Sequence, residues 1–299
     1  MAAIRKRRPE NTAGAFYVDS TCIDCDQCRQ IAPESFSRAG EQSAVHAQPA
    51  TAEATRAALA ALVTCPVGSI GTATKHDARI GMAAFPQPLE SGVHFCGFAA
   101  ESSFGASSYL IVRPGGNVLV DSPRFASALA RRVESLGGIR TMLLTHCDDV
   151  ADHARWAARF GAKRVLHRDD YSKSFGRIET LLEGSEPTTL DEDILAIPTP
   201  GHTRGHVVYL YRNRFLFSGD HLWWSPNRRR LHASRSVAWF SWAEQTRSMR
   251  RLLDYDFEWV LPGHGWRFHA PADAMRRQVE DCLTDMEGRA ATPAIEWAE

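Results

Sequence analysis

Four cysteines near the start of the chain constrain its fold more than any other feature. Three of them follow the spacing Cys22-x-x-Cys25-x-x-Cys28, and the fourth arrives later as Cys65-Pro66. Thiols at that spacing share one tight turn, which can wrap one corner of a cubane while the distant Cys-Pro supplies the fourth ligand. Four thiolates without histidine favour a [4Fe–4S] cluster over a Rieske centre. We therefore predict that Cys22, Cys25, Cys28 and Cys65 bind a [4Fe–4S] cluster.

Two other uses of four cysteines fit this spacing less well. Structural zinc sites usually arrange their cysteines as two close pairs. Disulfides need an oxidising compartment, and the start of the chain, Met1 to Arg8, lacks the apolar segment of a signal peptide. The cluster therefore favours a reducing, cytoplasmic location.

The residues around the cysteines indicate the kind of domain that carries them. Tyr17-Val18-Asp19 predicts a short strand, and Ala32-Pro33-Glu34-x-Phe36 follows the cysteine triplet. The alanine-rich segment from Thr51 to Val63 predicts a helix between the third and fourth cysteines. Residues 14–75 resemble a single-cluster bacterial-type ferredoxin, which implies a small α+β domain.

Size and composition allow a second, larger domain and exclude some partners. The chain has 299 residues, of which 44% are hydrophobic and 23% charged, as is usual for a globular protein. The formal net charge is zero, so no overall field attracts nucleic acid or a membrane surface. No apolar run reaches the length of a membrane span. We expect a small-molecule substrate, together with an electron donor or acceptor protein if the cluster carries electrons.

Changes in pattern along the chain predict four segments. Residues 1–13 are expected to form a flexible tail, residues 14–75 the ferredoxin-like domain, and residues 76–92 a linker rich in Gly, Pro and Ser. From residue 93 to residue 299, short apolar strands alternate with amphipathic helices. That alternation predicts a layered α/β domain.

The predicted strands of the larger domain end in residues that can bind metal. These residues occur in the segments Thr145-His146-Cys147-Asp148 through Asp152-His153, Pro200-Gly201-His202, Gly219-Asp220 and Pro262-Gly263-His264. Imidazoles and carboxylates gathered from several strand ends suit a divalent metal of intermediate softness. Glycines beside the ligands let the backbone turn sharply.

This ordered series resembles the metallo-β-lactamase (MBL) superfamily, whose members carry an H-x-H-x-D-H motif, His after Pro-Gly, Asp after Gly, and a final Pro-Gly-His. The resemblance implies an αβ/βα sandwich with metal at one edge of its two sheets. It also implies that Asp220 bridges two metals, with His202 on one side and Asp152, His153 and His264 on the other. Taken over nearly its whole length, the chain is similar to ferredoxin-fused MBL-fold proteins.

The first motif departs from the family pattern. Asp148 stands where the second histidine is expected, and Asp152-His153 arrives two residues late. We predict that His146, Asp152 and His153 are ligands and that Asp148 is a carboxylate substitute. Asp148 could instead be a helix N-cap, and Asp149 is expected to be a first-turn carboxylate that faces the helix dipole.

Three functions fit these sites. The first is a metallohydrolase, in which one or two divalent metals, zinc or iron, activate a water that attacks an ester or thioester carbonyl, and Asp152 or Asp148 accepts its proton. The second is an oxidoreductase, in which electron transfer from the cluster serves an iron site in the MBL fold. The third is a redox-responsive binding protein without catalytic activity.

Overall fold

The computed structural model describes residues 2–290, which form two compact units. The first unit runs to Thr141 and also includes Ala151–Ala162. The second unit comprises Met142–Val150 and the chain from Lys163 onward.

The first unit contains the cysteine-rich segment and several elements that follow it. Its helices and strands are β1 (Phe16–Val18), α1 (Gln27–Ile31), β2 (Phe36–Ala39), β3 (Gln42–Val45), α2 (Ala52–Thr64), β4 (Ile70–Thr72), α3 (Ala78–Met82), β5 (Gln87–Glu90), β6 (Val93–Phe95), β7 (Tyr109–Ile111), β8 (Val118–Val120), α4 (Ser127–Ser135) and α5 (His153–Phe160).

The cysteine-rich segment forms a small α+β module. Strand β1 pairs antiparallel with β4, and β2 pairs antiparallel with β3. Helix α2 begins after Thr51, whose Oγ1 accepts a hydrogen bond from the N–H of Ala54 at 3.0 Å, and ends at Cys65 because Pro66 cannot continue a helix. The predicted helix is therefore confirmed, and its end delivers the fourth cysteine. The module is packed around buried Phe16, Val18, Phe36, Val45, Leu59 and Ile70.

The expected flexible tail over residues 1–13 is at odds with the structure. The guanidinium of Arg8 is buried and donates hydrogen bonds to the carbonyls of Ser43 at 2.7 Å and Ala39 at 2.9 Å. The N–H of Ala3 donates to the carboxylate of Asp19 at 2.8 Å. The segment is held because these donors satisfy acceptors of the cluster module.

The expected linker over residues 76–92 also contains regular structure, namely α3 and β5. Gly81 of α3 lies so close to the backbone of α2 that a Cβ there would collide with the carbonyl of Leu59. The predicted domain boundaries stay a prediction, and residues 291–299 of the predicted larger domain lie outside the described residues.

The first unit also holds four neighbouring antiparallel strands in the order β5, β6, β7, β8. Tyr109 at the start of β7 pairs with Phe95 on one side and Val120 on the other. The loop between β6 and β7 therefore leaves from the edge at which β8 ends.

The second unit is a layered α/β arrangement. Strand β9 (Thr141–Leu143) begins at Thr141, a residue of the first unit, and continues into the second. The other elements of the second unit are β10 (Lys163–His167), β11 (Thr180–Leu182), β12 (Thr188–Asp191), β13 (Ile194–Pro198), β14 (Val207–Tyr211), β15 (Phe215–Gly219), β16 (Trp223–Ser225), β17 (Arg230–His232), α6 (Trp242–Arg251), β18 (Trp259–Pro262), β19 (Phe268–His269) and α7 (Ala272–Ala290).

Strand pairing in the second unit brings distant loops to one edge. Strands β12 to β15, β18 and β19 form a sheet in the order β12-β13-β14-β15-β18-β19, in which β15 and β18 are parallel. The ends of β15 and β18 therefore lie side by side, and the register of β13, β14 and β15 brings the turn after Pro198 to the same edge. Helices α6 and α7 cover the sheet through buried Met249, Met275, Val279 and Met286, which pack on Val208, Leu216 and Val260.

Within residues 2–290, no helix is both long and apolar enough to cross a membrane.

Candidate metal centres

The four predicted cluster cysteines surround one cavity in the first unit. Its lining comprises Cys22, Cys25, Cys28 and Cys65 together with Val18, Ile23, Gln27, Ser43, Val67, Ser69 and Ile70. The cysteine triplet can turn this tightly because Asp24 and Asp26 both adopt positive φ, at 58° and 56°.

The surroundings of the thiols suit a cluster. The N–H of Ser69 points at Cys65 Sγ at 3.3 Å, and the N–H of Ser43 points at Cys22 Sγ at 3.5 Å. Burial raises the pKa of Cys28 to about 12 and also raises the pKa of Cys25. Thiolates buried in this way need a cation to stabilise their charge, and bound iron supplies it. The donor set and the N–H groups therefore fit the [4Fe–4S] cluster that the sequence predicts.

A loop outside the cysteine motif lies against Cys25, and no sequence motif marked it. Gly105, in the connection between β6 and β7, has φ +89°, and a Cβ there would stand 2.6 Å from Cys25 Cβ and 3.0 Å from its sulfur. The buried side chain of Gln27 donates hydrogen bonds to the carbonyl of Gly105 and to Ser107 Oγ, both at 2.9 Å. The loop is thereby fixed over Cys25.

A second cluster of polar side chains lies in the second unit and is centred on Asp220. Its Oδ2 is 3.5 Å from His202 Nε2, 3.8 Å from His146 Nε2 and 3.9 Å from His264 Nε2. Burial opposes ionisation of this carboxyl, but the imidazoles of His264, His146 and His202 hold its pKa below the ordinary value. The structure therefore brings together four of the predicted ligands from four separate loops.

Asp149 joins this cluster, contrary to the interpretation of Asp149 as a first-turn helix carboxylate. It is only 1% exposed, and its Oδ1 is 3.6 Å from His264 Nε2. Helix α5 begins only at His153, so Asp149 precedes its first turn. The backbone between them passes through positive φ at Ala151, which leaves Asp149 facing the cluster.

Asp148 lies at the more open side of the same cluster, as a carboxylate substitute would. Its Oδ2 is 3.3 Å from His202 Nε2, and half of its side chain is exposed. The nearby imidazole of His202 lowers the pKa of Asp148 to about 2. Burial lowers the pKa of His202, but the carboxylates of Asp148 and Asp220 outweigh it and raise that pKa above the ordinary value. Asp148 is not the N-cap of α5, since that position belongs to Asp152.

Asp152 and His153 belong to the first unit. Asp152 Oδ2 accepts a hydrogen bond from the N–H of Phe125 at 2.7 Å and lies 3.8 Å from the guanidinium of Arg155. Among residues 2–290, two groups have ligand atoms close enough to hold one metal ion, and neither includes Asp152 or His153: they are His146, Asp148 and His202, and His146, Asp149 and Asp220. Ligation by Asp152 and His153 stays a prediction.

Neighbouring groups orient the histidines. His202 Nδ1 donates to the carbonyl of Val237 at 2.5 Å, which leaves Nε2 facing Asp220. His206 is not a ligand candidate: its Nε2 accepts the N–H of Asp220 at 3.2 Å, and its Nδ1 is 2.9 Å from Thr199 Oγ1. Burial, reinforced by the nearby histidines, lowers the pKa of His206 well below its ordinary value, so a neutral imidazole holds the backbone of Asp220 in place.

Asp170 ties two ligand loops together, and no sequence motif marked it. This buried carboxylate accepts hydrogen bonds from the N–H of Cys147 at 3.1 Å, from Thr203 Oγ1 at 2.6 Å and from the N–H of Gly205 at 2.7 Å. Cys147 follows His146 and Thr203 follows His202, so Asp170 fixes the spacing between these two histidines.

Several buried polar atoms of this cluster have no hydrogen-bond partner within the described chain: His146 Nε2, both carboxylate oxygens of Asp149, and Asp220 Oδ1. Leaving such atoms unsatisfied costs about 1–3 kcal/mol each. A Cβ on Gly263 would collide with Asp149 Oδ2 and lie 2.9 Å from Asp220 Oδ1, so the glycine keeps the carboxylates close. Convergent unsatisfied carboxylate and imidazole atoms fit a divalent metal.

The two centres define a metalloprotein with a cysteine-ligated module and a separate centre of histidine and carboxylate. Residues 18–72 match the family model of the 4Fe-4S single cluster domain of Ferredoxin I, and residues 103–264 match that of the Metallo-beta-lactamase superfamily. The chain belongs to the metallo-β-lactamase superfamily and carries an N-terminal ferredoxin-type domain.

Relatives of known name cover part of this chain. It is 35% identical to hydroxyacylglutathione hydrolase of Acidiphilium cryptum over 119 residues, which are 38% of this chain and 48% of that protein. It is 36% identical to the hydroxyacylglutathione hydrolase of Mesorhizobium japonicum over 114 residues, 37% and 44% of the two chains. The chain thus spans about half the length of these relatives.

Solved structures share the fold. The crystal structure of VMB-1 at pH 5.5 aligns with a TM-score of 0.52 at 17% identity, over 69% of this chain and 97% of that chain. DIM-1 metallo-β-lactamase, exposed to ceftazidime, aligns with a TM-score of 0.52 at 18% identity, over 67% and 95% of the two chains. The predicted fold class, an αβ/βα sandwich of the MBL type with a ferredoxin-like domain, is confirmed.

Proposed function

We propose that this protein is an MBL-fold metallohydrolase that cleaves an ester or thioester and carries a [4Fe–4S] ferredoxin module. The observation that carries the proposal is the convergence of three imidazoles on Asp220, beside buried carboxylate oxygens that accept no hydrogen bond from residues 2–290. The relatives named hydroxyacylglutathione hydrolase support the same reaction class.

The residues that would hold the metal follow from the distances: His146, His202, Asp220, His264, Asp148 and Asp149. A divalent metal bound there supplies a Lewis acid that polarises the carbonyl and lowers the pKa of a water. Two ions are proposed, because the ligand atoms divide into a group of His146, Asp148 and His202 and a group of His146, Asp149 and Asp220.

Asp148 is the residue proposed to accept the proton from the attacking water. Its carboxylate is half exposed and ionised at neutral pH, since its pKa is about 2, and it lies beside His202. Asp152 is the alternative acceptor that the sequence suggests, but its carboxylate already accepts the N–H of Phe125. Asp148→Asn therefore has a larger expected effect on turnover than Asp152→Asn.

Hydrolysis by matched variants tests this function. The zinc-loaded protein is assayed with simple esters and with thioesters of N-acetylcysteamine. We expect Asp220→Ala to abolish turnover, whereas Asp256→Ala, which removes an exposed carboxylate of the same unit, leaves it intact. Equal turnover by wild-type protein and Asp220→Ala would contradict the proposal. Turnover that persists while the cluster is kept oxidised would assign the cluster a structural or sensing role.

The ligand chemistry favours a second candidate, an oxidoreductase. Three carboxylates, Asp148, Asp149 and Asp220, accompany the three histidines, and hard oxygen ligands suit iron or manganese better than zinc. In this candidate, cluster electrons serve an iron site in the MBL fold. The test is iron, sulfide and zinc content after anaerobic purification, with EPR before and after dithionite. More iron than the cluster accounts for, with a second EPR signal that changes on reduction, would support this candidate. Zinc as the sole metal beyond the cluster iron would contradict it.

Location and partners are proposed on the same basis. A [4Fe–4S] cluster persists in a reducing compartment, so the cytoplasm is the proposed location. The hydrolase requires only a small-molecule substrate, whereas the oxidoreductase also requires an electron donor or acceptor protein.

A further inference from the structure

An exposed pair of aromatic side chains lies beside the metal centre of the second unit. Trp239 is 66% exposed, the highest value for a large hydrophobic side chain within the described residues, and its neighbour Phe240 is 46% exposed. Two adjacent aromatic side chains with this exposure present an apolar surface that an apolar group can cover.

The backbone holds this pair in a fixed position. The N–H of Phe240 donates to the carbonyls of Gly201 at 3.2 Å and His202 at 3.0 Å, and the N–H of Ser241 donates to the carbonyl of Gly201 at 3.0 Å. On the other side of Trp239, the carbonyl of Val237 accepts the hydrogen bond from His202 Nδ1. The same turn that presents His202 to the metal centre therefore also positions Trp239.

The indole lies within reach of a group bound at the metal centre. Its ring centroid is 6.1 Å from that of His202, at an interplanar angle of 55°. His202 Nε2 in turn is 3.5 Å from Asp220 Oδ2 and 3.3 Å from Asp148 Oδ2. A carbonyl bound beside Asp220 and Asp148 would therefore be separated from the indole of Trp239 only by the imidazole of His202.

The positive charge of Arg204 lies against the ring of Phe240 and leaves the indole of Trp239 exposed. The guanidinium of Arg204 lies 5.9 Å from the ring of Phe240 and pairs with Asp169 at 3.4 Å. Phe240 thereby has a partner of its own within the second unit. Trp239 is left as the apolar surface that faces outward beside the centre.

We propose that Trp239 is a specificity residue that selects substrates with an aryl group one methylene away from the scissile carbonyl, namely arylacetyl esters and thioesters. This inference rests on the proposed hydrolase function and adds the substrate class to it. Aryl groups stack on an indole in offset or edge-to-face geometry, which a flexible alkyl chain of similar size does not reproduce.

Paired thioesters with one leaving group test the selection. The zinc-loaded full-length protein is assayed with S-phenylacetyl and S-acetyl N-acetylcysteamine, so that only the acyl group differs. We expect a kcat/KM ratio of roughly tenfold or more in favour of phenylacetyl. Trp239→Ala is expected to bring this ratio close to one, and Trp239→Phe to retain most of it.

Two further variants separate recognition from folding. Trp239→Leu keeps apolar bulk without an aromatic ring, so it should fold and still lose most of the preference. Tyr171→Ala removes another exposed aromatic side chain of the same unit and should leave the ratio unchanged. A wild-type ratio near one, or a ratio unaffected by Trp239→Leu, would overturn the proposal. A dimer that dissociates in Trp239→Ala with an unchanged ratio would also overturn it, because it would assign the indole to a subunit interface.

A binding measurement keeps this test separate from that of the hydrolase function. Calorimetric titration of the zinc-loaded protein with phenylacetate and with acetate needs no turnover. Tighter binding of phenylacetate to wild-type protein, lost in Trp239→Leu, would support aryl recognition even if no thioester were cleaved. Equal binding of the two carboxylates would overturn it, whatever the hydrolytic activity.

Discussion

The two centres differ in how far apart along the chain their residues lie. Three of the four cluster cysteines come from one short turn, and the fourth comes from the end of α2. The histidines and carboxylates of the second centre come from four loops. Three of these loops meet because β15 and β18 are parallel and because β13 to β15 are in register. The fourth loop, after β9, is joined to the His202 loop by Asp170. A local centre depends on a few backbone dihedral angles, whereas a distributed centre depends on the packing of a whole sheet.

This contrast predicts that mutations at the two centres affect metal binding differently. A mutation in the local centre should remove its metal and leave the other centre loaded, because the two ligand sets lie in different compact units. A mutation in the distributed centre should show graded effects that depend on how many loops the residue contacts. Four predictions examine this contrast, in order of decreasing expected effect.

The largest effect is expected from Cys28→Ser. Cys28 is buried in the cavity wall, and a serine oxygen is a poorer ligand for cluster iron than a thiolate. We expect nearly complete loss of iron, acid-labile sulfide and broad visible absorption, while metal at the second centre is retained. Cys282→Ser, at a buried cysteine of α7, is the matched control and should keep the cluster. A full cluster in Cys28→Ser would show that the ligand set is wrong.

Asp220→Ala should have the next largest effect. Its Oδ2 lies 3.5 to 3.9 Å from three imidazoles, so its loss removes the group that all of them share. We expect metal affinity at the second centre to fall well beyond the roughly 10–100-fold that is typical of residues that only orient ligands. Competition with a chelator measures the affinity, and cluster absorption should not change. Affinity close to that of the wild type would mean that Asp220 is not a ligand.

The pair Asp149→Asn and Asp152→Asn compares the structure directly with the family pattern. The unsatisfied, buried carboxylate of Asp149 faces His264, whereas Asp152 accepts the N–H of Phe125. We expect metal affinity to fall roughly 100-fold in Asp149→Asn and less than roughly tenfold in Asp152→Asn. The reverse order in the chelator assay would restore Asp152 as the ligand.

The smallest effect is expected from Asp170→Asn. Oδ2 of Asp170 accepts from Cys147 and Thr203, and Oδ1 accepts from Gly205, so an amide NH₂ group at either position removes at least one of the three hydrogen bonds. We expect metal affinity to fall roughly tenfold and the free energy of unfolding to fall by about 1–3 kcal/mol. Asp169→Asn, at the more exposed neighbour, is the control. Identical denaturation curves for the two variants would contradict the role given to Asp170.

Much of this arrangement could be predicted from the sequence, and the exceptions have physical reasons. The cysteine spacing and the helix that ends at Cys65-Pro66 are local patterns, and both appear in the structure. Of the predicted strand-end ligands, His146, His202 and His264 lie around Asp220, whereas ligation by Asp152 and His153 stays a prediction. The position of Asp149 could not be predicted, because it depends on how the loop before α5 accommodates two additional residues, with Ala151 at φ +32°. The role of Asp170 could not be predicted either, because its hydrogen-bond donors come from segments far from it in the chain.

The contact between Gly105 and Cys25 bears on how this chain can change over generations. A side chain at position 105 would press on the cysteine, and Gln27 reaches from the cysteine turn to fix the same loop. We therefore expect the cysteine turn and the β6–β7 loop to change together, although many residues separate them along the chain. We expect related chains that keep Cys25 to keep glycine at position 105, and an exchange of the ferredoxin segment between relatives to succeed only when that loop is exchanged with it.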